Sequence, residues 1–363
     1  MFTASDDIIF SLYPLLLLLK TTGFVLFSTD HVRNTYRNTY FSILNLTIYV
    51  IHVVYVWYAG INTFGKYITA PDTLQKVYAV VFLVNAFSLI GVNIIWDKYH
   101  NNKFLNLLRQ FYKVDKDLRR NNIFLDYKKL RNRATVIILA EFSVYTYFNI
   151  DTATIFCKLG FQPTTVALDF LFYQGLHMMQ VTMTGKCVTL FAITENIFHR
   201  LNVKMQTDET SVQLVQKIRR FYHDAYELVS EANEVIAFQL VVPLCVTFVM
   251  VVYHIYYQIM NSALQESVTV LVWLSAILIK TVVVITQIHR VTTAAKTVKQ
   301  TAIKLALNKD RLVQREINMF FLQMLHEEVT ITGANFFKIN IGLIGDYFGK
   351  GIQYLLILYQ SYN

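Results

Sequence analysis

The sequence predicts an all-α polytopic membrane protein with seven transmembrane helices in an inverted orientation, N terminus inside and C terminus outside. Composition is the first reason. Of 363 residues 55% are hydrophobic and only 16% charged, where ordinary globular domains carry about 25% charged residues. The second is the scarcity of chain-breaking residues: 12 Gly and 4 Pro stand beside 27 Phe and 23 Tyr. That balance suits long uninterrupted helices and opposes a strand-and-turn fold. The third is an uneven placement of basic residues between alternate loops, which sets the orientation.

Taken in order, residues 1–40 form a cytoplasmic or interfacial N-terminal segment. Its apolar stretch, IIFSLYPLLLLLK at 8–20, is shorter than the roughly 20 residues a bilayer requires and contains Pro14. Asp6 and Asp7 precede it and no small-residue cleavage site follows, so it is a poor signal peptide and reads as interfacial or partly inserted. Seven longer apolar stretches follow, near 41–59, 77–96, 134–156, 165–193, 235–260, 267–288 and 339–360.

The loops at 97–133, 194–234 and 289–338 hold twenty-four Lys or Arg, against three in the alternate loops, Lys66, Lys76 and Lys158. Basic loops stay in the cytoplasm, which places the N terminus inside and the last span's end outside. This is the reverse of a G-protein-coupled receptor. The net charge of +9 is thereby accounted for by topology, and no nucleic-acid partner is implied.

The basic loops are themselves helical. Leu214, Ile218, Phe221, Tyr222, Ala225, Leu228, Val229, Ala232 and Val235 follow three- and four-residue steps, as do Val313, Ile317, Phe320, Phe321, Met324 and Leu325. Such stripes need partners, so the spans are expected to continue below the membrane into a packed helical base, with anchor helices over 289–338. No repeat, low-complexity tract or soluble domain interrupts the chain. Residues 1–363 read as one integrated domain.

Catalytic chemistry is missing. His326-Glu327-Glu328 lacks the second histidine of a zinc protease, and no nucleophile elbow, phosphate loop or dinucleotide motif occurs, so the chain is not read as an enzyme and no cofactor is implied. Cys157, Cys187 and Cys245 have no paired spacing that would suggest a disulfide framework or a metal site.

Ionisable residues within spans face protein or water because lipid exposure is costly. Glu141, Lys186, Lys280 and Asp346 lie seven or eight residues above the inner ends of their spans, one layer about 10–12 Å deep. They read as structural ion pairs or as lysines snorkelling to the interface, with Glu141 and Lys186 placed to pair. The outer halves hold Tyr145 and Phe148, then Asp169, Tyr173 and His177, then Tyr253 and Tyr257, then Trp273. Aromatic rings with a few polar groups form a candidate small-molecule pocket over spans one to six, residues 41–288; an aromatic belt is the alternative.

The last span, 339–363, resembles that of the insect gustatory receptors, whose signature is Thr-Tyr, five apolar residues, then Gln-Phe. Here Gln353-Tyr354-Leu355-Leu356-Ile357-Leu358-Tyr359-Gln360-Ser361 keeps the Tyr, the apolar gap and the Gln, while Gln353 and Ser361 replace the Thr and Phe. The segments ITGANFFKIN, LYPLLLLLKTTGF and IRRFYHDAYELVSEANEVIAFQL, with the inverted plan, fit the same family.

The resemblance implies a ligand-gated, non-selective cation channel in the plasma membrane of chemosensory neurons. It implies a homotetramer or a heterotetramer with related receptors, set in membrane lipid and opened by a small-molecule tastant. The short N-terminal region tilts the ligand toward bitter or aversive compounds. The last span would line the pore, with Ile357 as a hydrophobic gate and Gln360 as the adjoining polar ring. Helical steps add Tyr354 and Lys350 to that stripe. Two other readings stay open: an auxiliary subunit that does not conduct alone, and a polytopic transporter or membrane enzyme.

Overall fold

The computed structural model describes residues 8–22 and 96–362, apart from 159, 161, 208–210, 262–266 and 307–309, with isolated positions between 50 and 91. The first two predicted spans, 41–59 and 77–96, lie almost wholly outside the described residues. Among those described, the chain is helical except for one short hairpin. The helices are α1 (Ile8–Thr21), α2 (Asp97–Arg120), α3 (Tyr127–Lys158), α4 (Pro163–Thr207), α5 (Val212–Asn261), α6 (Ser267–Ala306), α7 (Arg311–His326) and α8 (Gly342–Tyr362). Strands β1 (Thr332–Gly333) and β2 (Phe337–Lys338) join α7 to α8. Two stretches, Val212–Tyr256 in α5 and Val272–Ala306 in α6, are long and apolar enough by themselves to cross a membrane.

Helix α4 is the axis. It packs against α3, α5 and α6 and also touches α1, and every residue from Val181 to Thr194 is buried. Two of its threonines return their hydroxyls to the helix: Thr182 donates to the Met178 carbonyl at 2.8 Å and Thr184 to the Gln180 carbonyl at 3.1 Å. A helix with no solvent face can satisfy polar side chains in this way.

The helices do extend beyond the spans into a packed base. One continuous helix, α5, carries the apolar stripe into the fifth apolar stretch. Ile218, Phe221, Tyr222, Ala225, Leu228, Val229, Ala232 and Val235 are all buried, in one core with Phe111 of α2, Phe198 of α4, Val298 of α6 and Phe320 of α7. Burial also pushes the Tyr222 phenol well above its ordinary pKa. In α7 the stripe is narrower than its periodicity suggests. Val313, Ile317, Phe320 and Met324 are buried, but Leu325 is exposed and Phe321 carries the Lys299 ammonium 5.0 Å from its ring centroid. A single 16-residue helix buries one row against its neighbours and leaves the adjacent row at the edge.

Polar contacts fix the register of this base. Arg219 of α5 meets Glu316 of α7 at 2.8 Å, and Lys103 of α2 pairs with Glu234 of α5. Glu195 of α4 receives Arg133 of α3 and Gln287 of α6, each at 2.9 Å.

Helix α1, expected as an interfacial or partly inserted segment over residues 8–20, packs against its neighbours along one side. Ile8, Leu12, Leu15, Leu16 and Leu19 are buried against α3, α4 and α2. The reason is compositional: the run IIFSLYPLLLLLK has no polar face on which to float. Only Tyr13 and Leu17 turn outward among its large side chains. Ser11 donates to the Tyr127 carbonyl at 3.1 Å, and Tyr127 donates to the fully buried Asp115 at 2.7 Å, which also holds Arg119 at 2.9 Å.

The hairpin sets where α8 begins. Asn335 (φ 63°) turns the chain in the left-handed region that Asn tolerates, alongside Ala334 (φ 47°), which lacks that compensation. Gly333 passes so close to α5 that an added Cβ would lie 2.7 Å from Val241. The Asn233 carbonyl oxygen accepts from the Thr332 amide at 3.3 Å, and Asn340 caps α8 by accepting from the Gly342 amide at 2.8 Å.

Tyr127→Phe removes a donor from Asp115 and keeps the ring. We expect it to cost about 1–3 kcal/mol, read as a lower melting temperature of the detergent-solubilised protein; an unchanged melt would exclude Asp115 as the tie between α1, α2 and α3.

Candidate functional site

Helices α3 and α4 run antiparallel, so successive turns meet in order. Glu141 faces Thr184, which donates to its Oε1 at 3.2 Å; Tyr145 donates to Gln180 Oε1 at 2.9 Å; Asn149 donates to Gln174 Oε1 at 2.6 Å. Helix α6 adds Lys280, whose Nζ donates to the same Gln180 oxygen at 3.0 Å and lies 5.9 Å from the Tyr145 ring centroid. Gln180 is thus a shared acceptor joining three helices. Glu141 lies within the field of Lys280.

Above this hub the rings gather. His177 stacks on Tyr145 at 4.2 Å with an interplanar angle of 11°, and Phe148 meets His177 edge-on at 6.0 Å. Trp273 of α6 lies 5.9 Å from Phe148 and 4.6 Å from His254 of α5. The cluster draws on four helices. Among the described residues, the buried His177 Nδ1 in this cluster and the nearby Asn149 Oδ1 on α3 have no hydrogen-bond partner, where buried polar atoms are normally paired.

The structure therefore brings together Tyr145, Phe148, His177 and Trp273 of the residues picked from sequence. It separates the others. Tyr253 lies 6.4 Å from Tyr256 and lines a groove between α5 and α8. Tyr173 packs on the main core, Asp169 is buried, and the Tyr257 side chain lies outside the described residues. Gln180 and His254 complete the site. Gln180 had a readable signal: it shares a helical face with His177, three residues before it, and Thr184, four after.

The charged residues also divide. Glu141 faces Lys280 and not Lys186. Lys186 stands two residues past Thr184, on the opposite side of α4, and its Nζ lies 5.5 Å from the Phe104 ring centroid. Asp346 lines the α5–α8 groove together with Lys350.

Helix α8 has two unlike faces. Tyr347 donates to the Leu244 carbonyl at 3.3 Å and meets Phe248 edge-on at 4.9 Å; Gly351 lets Phe248 and Val252 approach. Tyr354 also turns to Phe248, at 6.0 Å. Much of the rest of the helix is exposed, including Ile352, Gln353, Leu356, Tyr359 and Gln360. Of the predicted stripe, Lys350, Tyr354 and Ile357 border the α5–α8 groove, with Tyr354 53% and Ile357 52% exposed, and Gln360 is exposed.

A core knitted from long apolar helices is that of a helical membrane protein. Residues 12–362 match the family of 7tm chemosensory receptors, and the chain belongs to that family. It is 21% identical to putative gustatory receptor 28b of Drosophila melanogaster over 75% of this chain and 67% of that one. The fold matches the insect olfactory receptor OR5 of Machilis hrabei with a TM-score of 0.69 at 10% identity, covering 96% of this chain and 97% of that one. The same receptor solved in complex with eugenol matches at 0.68 and 13% identity, over 98% and 100% of the two chains.

Gln180→Leu removes the shared acceptor and strands the Tyr145 hydroxyl and one Lys280 N–H. We expect a loss of about 2–5 kcal/mol, with Gln180→Glu, which keeps an acceptor, closer to wild type. Melting temperatures in detergent give the ranking; equal melts for the two variants would show that Gln180 is not the joint.

Proposed function

We propose that this chain is a gustatory receptor working as a ligand-gated, non-selective cation channel, opened by a small molecule that reaches it from outside a chemosensory cell. The observation that carries the reading is α8, packed on α5 along one face and open along the other. An open face bearing Gln353 and Gln360 beside apolar residues is poorly suited to lipid and well suited to the axis of an assembly. In this reading four subunits, identical or mixed with related receptors, bring their α8 helices together around one pore in the plasma membrane. A ring of Ile357 closes it by excluding water, and Gln360 offers amides to passing ions.

The aromatic cluster supports a ligand chamber. Rings from α3, α4, α5 and α6 gather around His177, whose Nδ1 has no hydrogen-bond partner among the described residues, and the olfactory receptor of the same fold was solved with eugenol bound. A molecule that meets Asn149 and His177 would draw these helices together. The uneven basic loops support an N-inside, C-outside arrangement.

Whole-cell current from cells expressing the chain alone, recorded over a tastant panel, tests the channel reading. Ligand-dependent current supports it. Binding without current would make the chain an auxiliary subunit, and uptake without current would make it a transporter. At matched surface expression, Ile357→Ser should raise resting leak well above wild type, and Leu356→Ser, about 100° around the helix, should raise it less. Gln360→Lys should suppress cation current. Equal leak from the two serine variants would place Ile357 away from the pore.

A tag after Asn363 should label on intact cells. Labelling only after permeabilisation would reverse the orientation.

A further inference from the structure

A second cavity lies one helical turn from the aromatic cluster, between α3 and α6. It encloses about 170 Å³, close to the roughly 150 Å³ that admits benzene in an engineered protein cavity. Its walls are apolar, with Ala140 and Val144 on α3 facing Ala276 and Ile279 on α6; its floor is Glu141, Thr184 and Lys280. Ile279, one of its lining residues, is 63% exposed among the described residues.

The floor has hydrogen-bonding capacity to spare on both signs. Lys280 has three N–H donors, and among the described residues its one hydrogen bond goes to Gln180. Glu141 Oε1 accepts from Thr184, and Oε2 takes part in no hydrogen bond among those residues. The carboxylate and the ammonium offset each other, so the floor as a whole carries little net charge. A charged ligand would meet one of them as a like charge in a low-dielectric space, which is costly. A purely apolar ligand would cover unspent donors and acceptors without replacing their partners, which is also costly. What fits is neutral, compact, and able to donate and accept at one end.

We propose that the cavity between α3 and α6 is a second small-molecule site, which takes a neutral amphiphile with a benzene-sized apolar body and a hydroxyl or amide head seated between Glu141 and Lys280. Tyr145 borders this cavity and also stacks on His177. An occupant would therefore act on the same α3–α4–α6 joint as a ligand in the aromatic cluster, as a modulator of that joint. Its binding does not depend on whether the chain conducts.

The test uses the full chain, purified in detergent–lipid micelles, and four probes of similar size: p-cresol, toluene, benzoate and benzylammonium. p-Cresol should bind saturably and about tenfold or more tighter than the other three. Ala140→Leu and Ala276→Leu, which fill the cavity from facing helices, should each weaken p-cresol by about tenfold, while His177→Ala should change it by less than about twofold. If one leucine variant fails to elute like wild type, the other carries the comparison. A diazirine analogue of p-cresol should label peptides around Ala140 or Ala276 in the unmodified chain.

Binding that survives the leucine variants, or that does not distinguish p-cresol from benzoate or benzylammonium, overturns the proposal. So does labelling confined to other peptides. Loss of binding in His177→Ala alone would put the probe in the aromatic cluster, which overturns this site and leaves the receptor reading intact. Loss of ligand-gated current with p-cresol binding unchanged would do the opposite.

Discussion

Complete burial of the middle of α4 imposes the constraint on which the other helices depend. A segment with no exposed residue between Val181 and Thr194 yet containing Thr182, Thr184, Lys186 and Thr189 must find every polar partner inside the protein. The Thr189 hydroxyl has no partner among the described residues, whereas Thr182 and Thr184 meet that demand locally, through their own helix. Longer side chains cannot, and they recruit neighbours: Gln180 holds Tyr145 and Lys280, Thr184 reaches Glu141, Lys186 lies over Phe104. The polar groups of one buried helix thereby dictate how α2, α3 and α6 are set around it.

The same logic separates the two ends of the bundle. Toward the base, charges sit at partly exposed helix surfaces, where pairs such as Arg219–Glu316 and Arg133–Glu195 specify register and contribute little energy each. Cohesion there comes from the continuous apolar core shared by α2, α4, α5, α6 and α7. Toward the aromatic cluster, rings fill the space between helices, and two polar atoms are left over. The base is held by packing, whereas the aromatic end is held by ring contacts between helices.

Helix α8 is attached differently from the rest. Its ties are the hairpin, pinned by Asn233 to Thr332, an edge formed by Tyr347, Gly351 and Tyr354 against α5, and a smaller contact with α6. The glycine at 333 makes the close approach to Val241 feasible, and the turn at Asn335 aims the chain back along α5. A helix held along one edge shifts at lower cost than one locked on all sides.

Long apolar stretches, the lack of Gly and Pro, and the three- and four-residue stripes determined by themselves that the chain would be helical, embedded in lipid and extended into a packed base; Ile218 to Val235 and Val313 to Met324 were legible because periodicity is a local property. The sequence also marked Tyr145, Phe148, His177 and Trp273 as residues of interest, since aromatic and polar side chains are conspicuous in apolar runs. Only the tertiary structure decided which of them meet. Tyr253 and Trp273 look alike as candidates, yet one turns to α8 and the other to His254, because facing depends on the angle of each helix about its axis. Depth alone matched Glu141 equally to Lys186 and Lys280; rotation of α4 carried Lys186 to Phe104 and left Glu141 to Lys280. The hairpin at Ile331–Ile339 escaped periodicity for the same reason: its two-residue strands are held by Asn233, 99 residues away. Such contacts between distant residues carry no periodic signal in the chain, and they are what distinguish a set of amphipathic helices from a built site.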